Sequence, residues 1–237
     1  MALPKLNEVP KYELNIPSTN QKVRFRPFLM KEEKVLLMAM ESQNQTDIFN
    51  TIIDTLSACI EDDIDVNKFG TFDVEYCFLK IRSKSAGEKA DMVFQCTECE
   101  SENEVSINID DIKIEVPKLD PIIEINNEIS VEMTWPSFND VAKNDTIINS
   151  ESTVDQVFAL VRACMVSINT KEERFAIKDH SKEEIDQFIE SLNSDQFGKI
   201  REYVEQMPRL KHDVSFCCTN CASANEVTVE GLQSFFS

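Results

Sequence analysis

The sequence predicts an α+β protein of two homologous tandem halves, each carrying β-hairpins, helices and a C-x-x-C zinc-knuckle hairpin, joined at a shared four-cysteine site. Three observations predict it. The phrase FQCTECESENEV (94–105) returns as FCCTNCASANEV (216–227), with Phe, Cys, Thr, Cys, Ser, Asn, Glu and Val at the same places. Ahead of each copy, stretches of strand period and then of helix period follow one another in the same order. Each phrase also places a C-x-x-C turn between two stretches of strand character. The halves are 1–117, with its knuckle at 96–99, and 118–237, with its knuckle at 218–221. The matching parts run roughly from 10 to 116 and from 118 to 234, with VPKLDP as the joint.

In the first half, YELNIPSTNQKVRFRPF reads as two short alternating strands around a Pro-Ser-Thr-Asn turn, closed by Pro27. In the second, IIEINNEISVEMTWPSF reads as strand, Asn-Asn turn and strand, closed by Pro136. Each proline is soon followed by a phenylalanine, Phe28 or Phe138, and by polar residues suited to opening a helix. Ile48, Ile52, Leu56 and Cys59 then recur at helical spacing, as do Val154, Val157, Val161, Cys164 and Met165. Helix starts are expected at Thr46, at Ser152 with Asp155 three residues on, and at Ser181 with Glu184 three residues on. FDVEYCFLKIRSK leads into the first cysteine pair as a helix. SDQFGKIREYVEQMP leads into the second and stops at Pro208. The stretch Asn169 to Glu184 has no counterpart in the first half.

Two cysteines two residues apart on a hairpin turn put both sulfurs on one side, with backbone N–H groups aimed at them, and so offer half of a tetrahedral thiolate site. Cys96 and Cys99 form one such pair, Cys218 and Cys221 the other. The 118 residues from Glu100 to Cys217 exceed ordinary ribbon spacing. A pseudo-twofold relation between the halves would bring the hairpins together around one ion, a structural Zn(II), with iron the other candidate. Register separates the adjacent cysteines: Cys218 aligns with Cys96, whereas Cys217 aligns with Gln95 and is a bystander. Redox pairs, separate disulfides and thiols without a role remain open as other readings, and Cys59, Cys77 and Cys164 read as small core residues.

The net charge is -19, from 43 acidic and 24 basic residues, a field that repels phosphate backbones and anionic lipid. Four glycines leave no phosphate-cradling loop, and the N-terminal stretch lacks the apolar core of a secretory leader. The longest apolar run, VFALVRACMVSI, is too short for a membrane span. A cytosolic site of synthesis follows, with thiols kept reduced. A four-thiolate shell leaves no open metal position. His180 in the acidic insert and His212 ahead of Cys218 form no catalytic constellation, and the Glu61–Asp65 run lacks cation-loop spacing. The expectation is no enzyme and no small-molecule substrate. A zinc-ribbon nucleic-acid binder is the rival reading, but the knuckles are acidic or neutral and basic residues cluster only at RFRPF and KIRSK. Phe235 and Phe236 near the C-terminus are candidates for docking back or anchoring a partner.

The stretches MALPKLN, YELNIPSTNQKVRFRPFLMKEEKVLLMAMES and FDVEYCFLKIRSKSAGE resemble the baseplate hub protein family of T-even-type, contractile-tailed bacteriophages. The second half is similar in layout to longer versions, so the resemblance covers nearly the whole chain. It implies a late protein made in the host cytoplasm that acts on tail baseplate construction with other hub or tail proteins as partners. Two roles fit: a virion component of the baseplate hub, or a transient assembly chaperone absent from the mature particle.

Overall fold

The computed structural model describes residues 9–42, 44–150 and 152–235. The opening MALPKLNE, the side chain of Phe235 and Phe236 lie outside them. Strands β1 (Tyr12–Asn15) and β2 (Lys22–Phe25) pair antiparallel, Tyr12 opposite Phe25 and Asn15 opposite Lys22. Helices α1 (Met30–Ser42) and α2 (Gln45–Cys59), a 3-10 turn (Val66–Lys68) and α3 (Thr71–Ala86) follow. Next come β3 (Lys89–Gln95), β4 (Glu102–Asn108) and a 3-10 turn (Ile109–Asp111). The chain continues through β5 (Ile122–Glu124), β6 (Ile129–Met133), α4 (Phe138–Ala142), α5 (Asp145–Asn149), α6 (Thr153–Cys164), β7 (Met165–Thr170) and β8 (Arg174–Ala176). After a 3-10 turn (Ile177–Asp179) it forms α7 (Lys182–Glu190), α8 (Ser194–Glu205), β9 (Lys211–Cys217), β10 (Ala224–Glu230) and a last 3-10 turn (Leu232–Phe235).

Local chemistry sets these boundaries. α1 opens where the Leu29 amide donates to the Glu32 carboxylate at 2.8 Å, and Arg26 holds the other carboxylate oxygen at 2.8 Å. Asn44, rather than Thr46, caps α2, its side-chain oxygen accepting from the amides of Thr46 and Asp47. Thr46 already lies inside the helix, where its side chain cannot reach the orphan amides ahead of it. Ser152 caps α6 and Ser181 closes a capping box with Glu184, as their spacing predicts. Buried Asp73 accepts from Gly70 at the start of α3 and from Ser18 in the β1–β2 turn. One carboxylate therefore both caps a helix and pins a hairpin. Burial pushes its pKa up, against the pull of those donors.

The fold is mixed α+β, and its contacts divide it into two compact units, 1–115 with 209–237 and 116–208. In the second unit β5, β6, β7 and β8 form a four-stranded antiparallel sheet in that order. Its core joins Val131 and Met133 of the sheet to Val161, Cys164, Ile189 and Ile200 of the helices. The Asn169–Glu184 stretch supplies the end of β7, all of β8 and the 3-10 turn after it, so it widens this sheet.

Among the described residues of the first unit β1–β2 has no such extension, yet Phe25 makes an isolated bridge to Ile60 just past α2. The Arg26 amide donates to Cys59 O at 3.0 Å. The second unit repeats this local pattern: Met133 pairs with Met165 just past α6, and the Thr134 amide donates to Cys164 O at 2.7 Å. Hairpin β9–β10, although it follows the second unit in the chain, belongs to the first unit with β3–β4. Residues 116–208 are thus a chain excursion whose two ends both return to one unit.

Candidate metal centre

The two hairpins are built alike. Lys89 faces Asn108 and Gln95 faces Glu102; Lys211 faces Glu230 and Cys217 faces Ala224. Every position in the second ladder lies 122 residues beyond its match in the first (218 minus 96). The flanking closures match too, with Ile109 N donating to Glu88 O and Gly231 N to Leu210 O, both at 2.8 Å. At the tips, the Cys96 amide donates to Ser101 O and the Glu100 amide to Cys96 O, at 2.9 and 3.0 Å. The Cys218–Ser223 and Ala222–Cys218 bonds repeat them at 2.8 and 2.9 Å. The turn needs one left-handed residue, supplied by Glu100 (φ 57°) and Ala222 (φ 62°). These residues lack glycine's freedom, so the knuckle closures offset some backbone strain.

A reciprocal clasp brings the tips together. Asn103 and Asn225 are each 3% exposed. Asn103 Oδ1 accepts from the amide and hydroxyl of Thr219 at 2.8 and 3.0 Å, while Asn225 Oδ1 accepts from those of Thr97, both at 2.9 Å. Each amide nitrogen donates within its own hairpin, to Ser101 O or Ser223 O, and also points at a sulfur of the other hairpin. Asn103 Nδ2 lies 3.7 Å from Cys218 Sγ and Asn225 Nδ2 lies 3.5 Å from Cys96 Sγ. Phe94 and Phe216 stack behind them, ring centroids 5.8 Å apart. Neither tip can satisfy its buried asparagine without the other, and an orphaned buried amide costs roughly 1–3 kcal/mol.

Within this frame the sulfurs of Cys96, Cys99, Cys218 and Cys221 all lie within 4.8 Å of one another. Cys96 Sγ is 3.6 Å from Cys221 Sγ, and Cys99 Sγ is 3.6 Å from Cys218 Sγ. A metal–sulfur bond of about 2.3 Å in a tetrahedron places sulfurs about 3.8 Å apart. A disulfide would need about 2.05 Å. The spacing suits four ligands around one ion, so the donor set fits a tetrahedral metal. The first cysteine of each pair is buried, while Cys99 is half-buried and Cys221 exposed.

Polar hydrogens converge on the sulfurs. Ser101 Oγ lies 3.0 Å from Cys99 Sγ and 3.2 Å from Cys218 Sγ, and Asn220 reaches Cys218 through its amide and Cys99 through its side chain. The Ser101 hydroxyl, then the Cys221 and Asn220 amides, pull the Cys218 pKa down to about 5. Cys99 is lowered as well, again chiefly by Ser101. The Ser223 amide favours the Cys221 anion, yet the sulfurs of Cys99, Cys218 and Cys96 outweigh it and push Cys221 up to about 12. Two thiolates 3.6 Å apart repel by about 5 kcal/mol at an effective dielectric of about 20. Four anions can share this volume only around a cation.

The remaining candidates fall elsewhere. Cys217 is exposed and outside the cluster. Cys59, Cys77 and Cys164 are buried, and burial raises all three thiol pKa values, to about 11 at Cys59 and about 12 at Cys164. His180 stands 3.5 Å from Glu184 and packs on Phe175, and His212 sits on β9 opposite Val229. In the Glu61–Asp65 run, Asp62 grips Arg24 through side chain and amide, Glu61 pairs with Lys11, and Asp65 caps the 3-10 turn (Val66–Lys68). Arg26 is held by Glu32, Lys80 by the carbonyls of Ile109 and Asp110, and Lys84 by Glu88 and Asp110. No described helix is long and apolar enough to cross a membrane. Sequence reasoning passed over Asn103, Asn225, Thr97 and Thr219 as site residues. Their signal was present, because all four are among the letters that the two phrases share.

The family described as T4 bacteriophage base plate protein matches residues 9–237. Comparison with curated proteins and comparison with solved structures each find no match.

Proposed function

We propose, from the premise that the chain belongs to the T4 bacteriophage base plate protein family, that it is a non-enzymatic structural or assembly component of the tail baseplate hub. One structural Zn(II) would be held by Cys96, Cys99, Cys218 and Cys221. The observation that carries the metal reading is the convergence of four sulfurs from two hairpins distant in sequence. Bound there, the ion supplies no open coordination position and therefore no chemistry beyond holding the hairpins. Zn(II) suits four thiolates and carries no redox duty. Fixing Cys218 to Cys99 closes a span of 119 residues. A permanent tie of that length removes chain entropy worth about 5 kcal/mol from the unfolded ensemble. The excursion 116–208 is then anchored at both ends to the unit from which it leaves.

Descent of 1–117 and 118–237 from one tandem duplication accounts for the shared phrase. It is supported by the constant offset of 122 between the ladders and by the matching bonds after α2 and α6. Arg24 and Arg26 of RFRPF and Lys80 and Lys84 of KIRSK are engaged by carboxylates and carbonyls of the same chain, which speaks against the nucleic-acid reading at those segments. The protein would be made in the host cytoplasm and act with other hub or tail proteins. Quantitative mass spectrometry of purified mature tails and of baseplate intermediates tests the role. A fixed copy number in both indicates a permanent hub part, and presence in intermediates alone indicates an assembly factor. Absence from both contradicts the proposal.

A further inference from the structure

We propose that α1 is a docking helix that seats in an apolar groove with a basic rim on a different baseplate protein. This rests on the baseplate reading above and names the surface that reading leaves unspecified. Of the nine large hydrophobic residues exposed among the described residues, six lie between Leu29 and Met40. Met30 is 75% exposed, Met38 59%, Leu37 56% and Val35 52%. At about 100° per residue, Val35, Leu37 and Met38 point to three different sides of the helix. Only Glu32 and Leu36 are buried. Elsewhere the chain follows the ordinary rule: α8 turns Ile200, Tyr203 and Val204 inward and leaves Arg201, Glu202 and Glu205 exposed. A helix that shows large apolar side chains among its charged residues on three sides, and buries only Glu32 and Leu36, is built to be covered again.

The helix is also presented firmly. Glu32 is 8% exposed and joins Arg26, the Leu29 amide and Lys31, so the start of α1 is fixed to the body before any partner arrives. α1 packs on α2, which in turn packs on α3. Three of the six exposed residues are methionines, whose unbranched, polarisable side chains fill a groove without demanding one shape.

Charge selects the occupant. On the α1–α2 pair, exposed Glu33, Glu41, Asp47 and Asp54 outnumber exposed Lys31 and Lys34, and Lys31 is engaged by Glu32 at 3.3 Å. The whole chain carries -19. A second copy would set acidic rim against acidic rim, whereas a groove edged with Lys or Arg complements it.

The test places a photo-crosslinking amino acid at Met38 and, as a control, at Val154, which is 64% exposed in the other unit. Each variant is expressed during infection, and crosslinked species are identified by mass spectrometry. The expected result is a crosslink from Met38, absent from Val154, to one other baseplate protein. In parallel, the double variant Leu37→Lys, Met38→Lys should enter baseplates at least ten-fold less while keeping its melting temperature. Crosslinking to a second copy, to a host protein or to nothing, in a chain that still sediments with baseplates, overturns the docking proposal alone. So does normal incorporation of the double variant. Absence of the unmodified chain from every baseplate fraction overturns the baseplate reading and this proposal with it.

Discussion

The hairpins 89–108 and 211–230 share a register, a turn conformation and a set of cross-bonds, yet their tips are not equal. Where the first has Glu98, the second has Asn220, and only Asn220 donates to a sulfur of the opposite hairpin. Both serine carbonyls, of Ser101 and Ser223, accept alike from their own hairpins, but only the Ser101 hydroxyl lies between two sulfurs, those of Cys99 and Cys218. The shared letters build the frame: Cys, Thr and Asn repeat because each must meet its counterpart across the contact. The sulfurs are tuned by one unshared letter, Asn220 in place of Glu98, and by one shared letter, Ser101, whose hydroxyl is placed differently from that of its match. Repetition in the sequence therefore marks residues that act on the other copy, while the polarity within the site comes from Asn220 and from the placement of the Ser101 hydroxyl.

The largest expected effect tests which sulfurs belong to the frame. Cys218→Ser should reduce metal affinity at least 100-fold and lower the melting temperature by several degrees, while Cys217→Ser should leave both unchanged. Calorimetric melting with metal titration reads both, and equal losses would break the register that pairs Cys218 with Cys96. Next, Asn103→Ala and Asn225→Ala should each weaken metal binding by roughly 10- to 100-fold. Each should also cost roughly 1–3 kcal/mol in denaturant unfolding of the metal-free protein. Similar losses from the two would sharpen the reciprocity; a neutral result at one would show that a single hairpin organises the site.

A third prediction concerns how the second hairpin meets the helix ahead of the first. Glu75 on α3 sits near the Leu210 and Leu232 amides, which favour its anion, but desolvation is the larger effect and lifts its pKa to about 7. A raised carboxyl holds its proton in the fold after the unfolded chain has released it. Its stabilisation is full below about pH 4.5 and is lost as pH rises through about 7. Glu75→Gln should therefore gain on the order of 2 kcal/mol relative to the parent at pH 8 and almost nothing at pH 4. Chemical denaturation at the two pH values checks the difference. The smallest effect is at Glu98: Glu98→Asn removes a negative charge from the first tip and introduces the donor that Asn220 provides in the second. A few-fold tighter metal binding in a competition titration would confirm that this position accounts for part of the inequality.

What the sequence revealed follows from the range of the forces involved. Strands around the Pro-Ser-Thr-Asn and Asn-Asn turns, and the caps at Ser152 and Ser181, were legible because alternation and capping act within a few residues. The cysteine register was legible because the twelve-residue phrase is written twice. The α2 cap was misplaced by two residues, since Asn44 and Thr46 both carry capping side chains and only backbone geometry separates them. Membership of 209–237 in the first unit was not legible, because it depends on contacts far apart in sequence. Nor was the exposure of α1, since an apolar run reads the same whether its sides are covered or bare.

Everything proposed for the hairpins depends on these four sulfurs sharing one ion. Elemental analysis of the purified protein, combined with X-ray absorption at the metal edge, measures it most directly. The expected result is about one zinc per chain, surrounded by four sulfurs at about 2.3 Å. Two metals per chain, a shell containing nitrogen or oxygen, or no bound metal with the four cysteines joined as disulfides would contradict it.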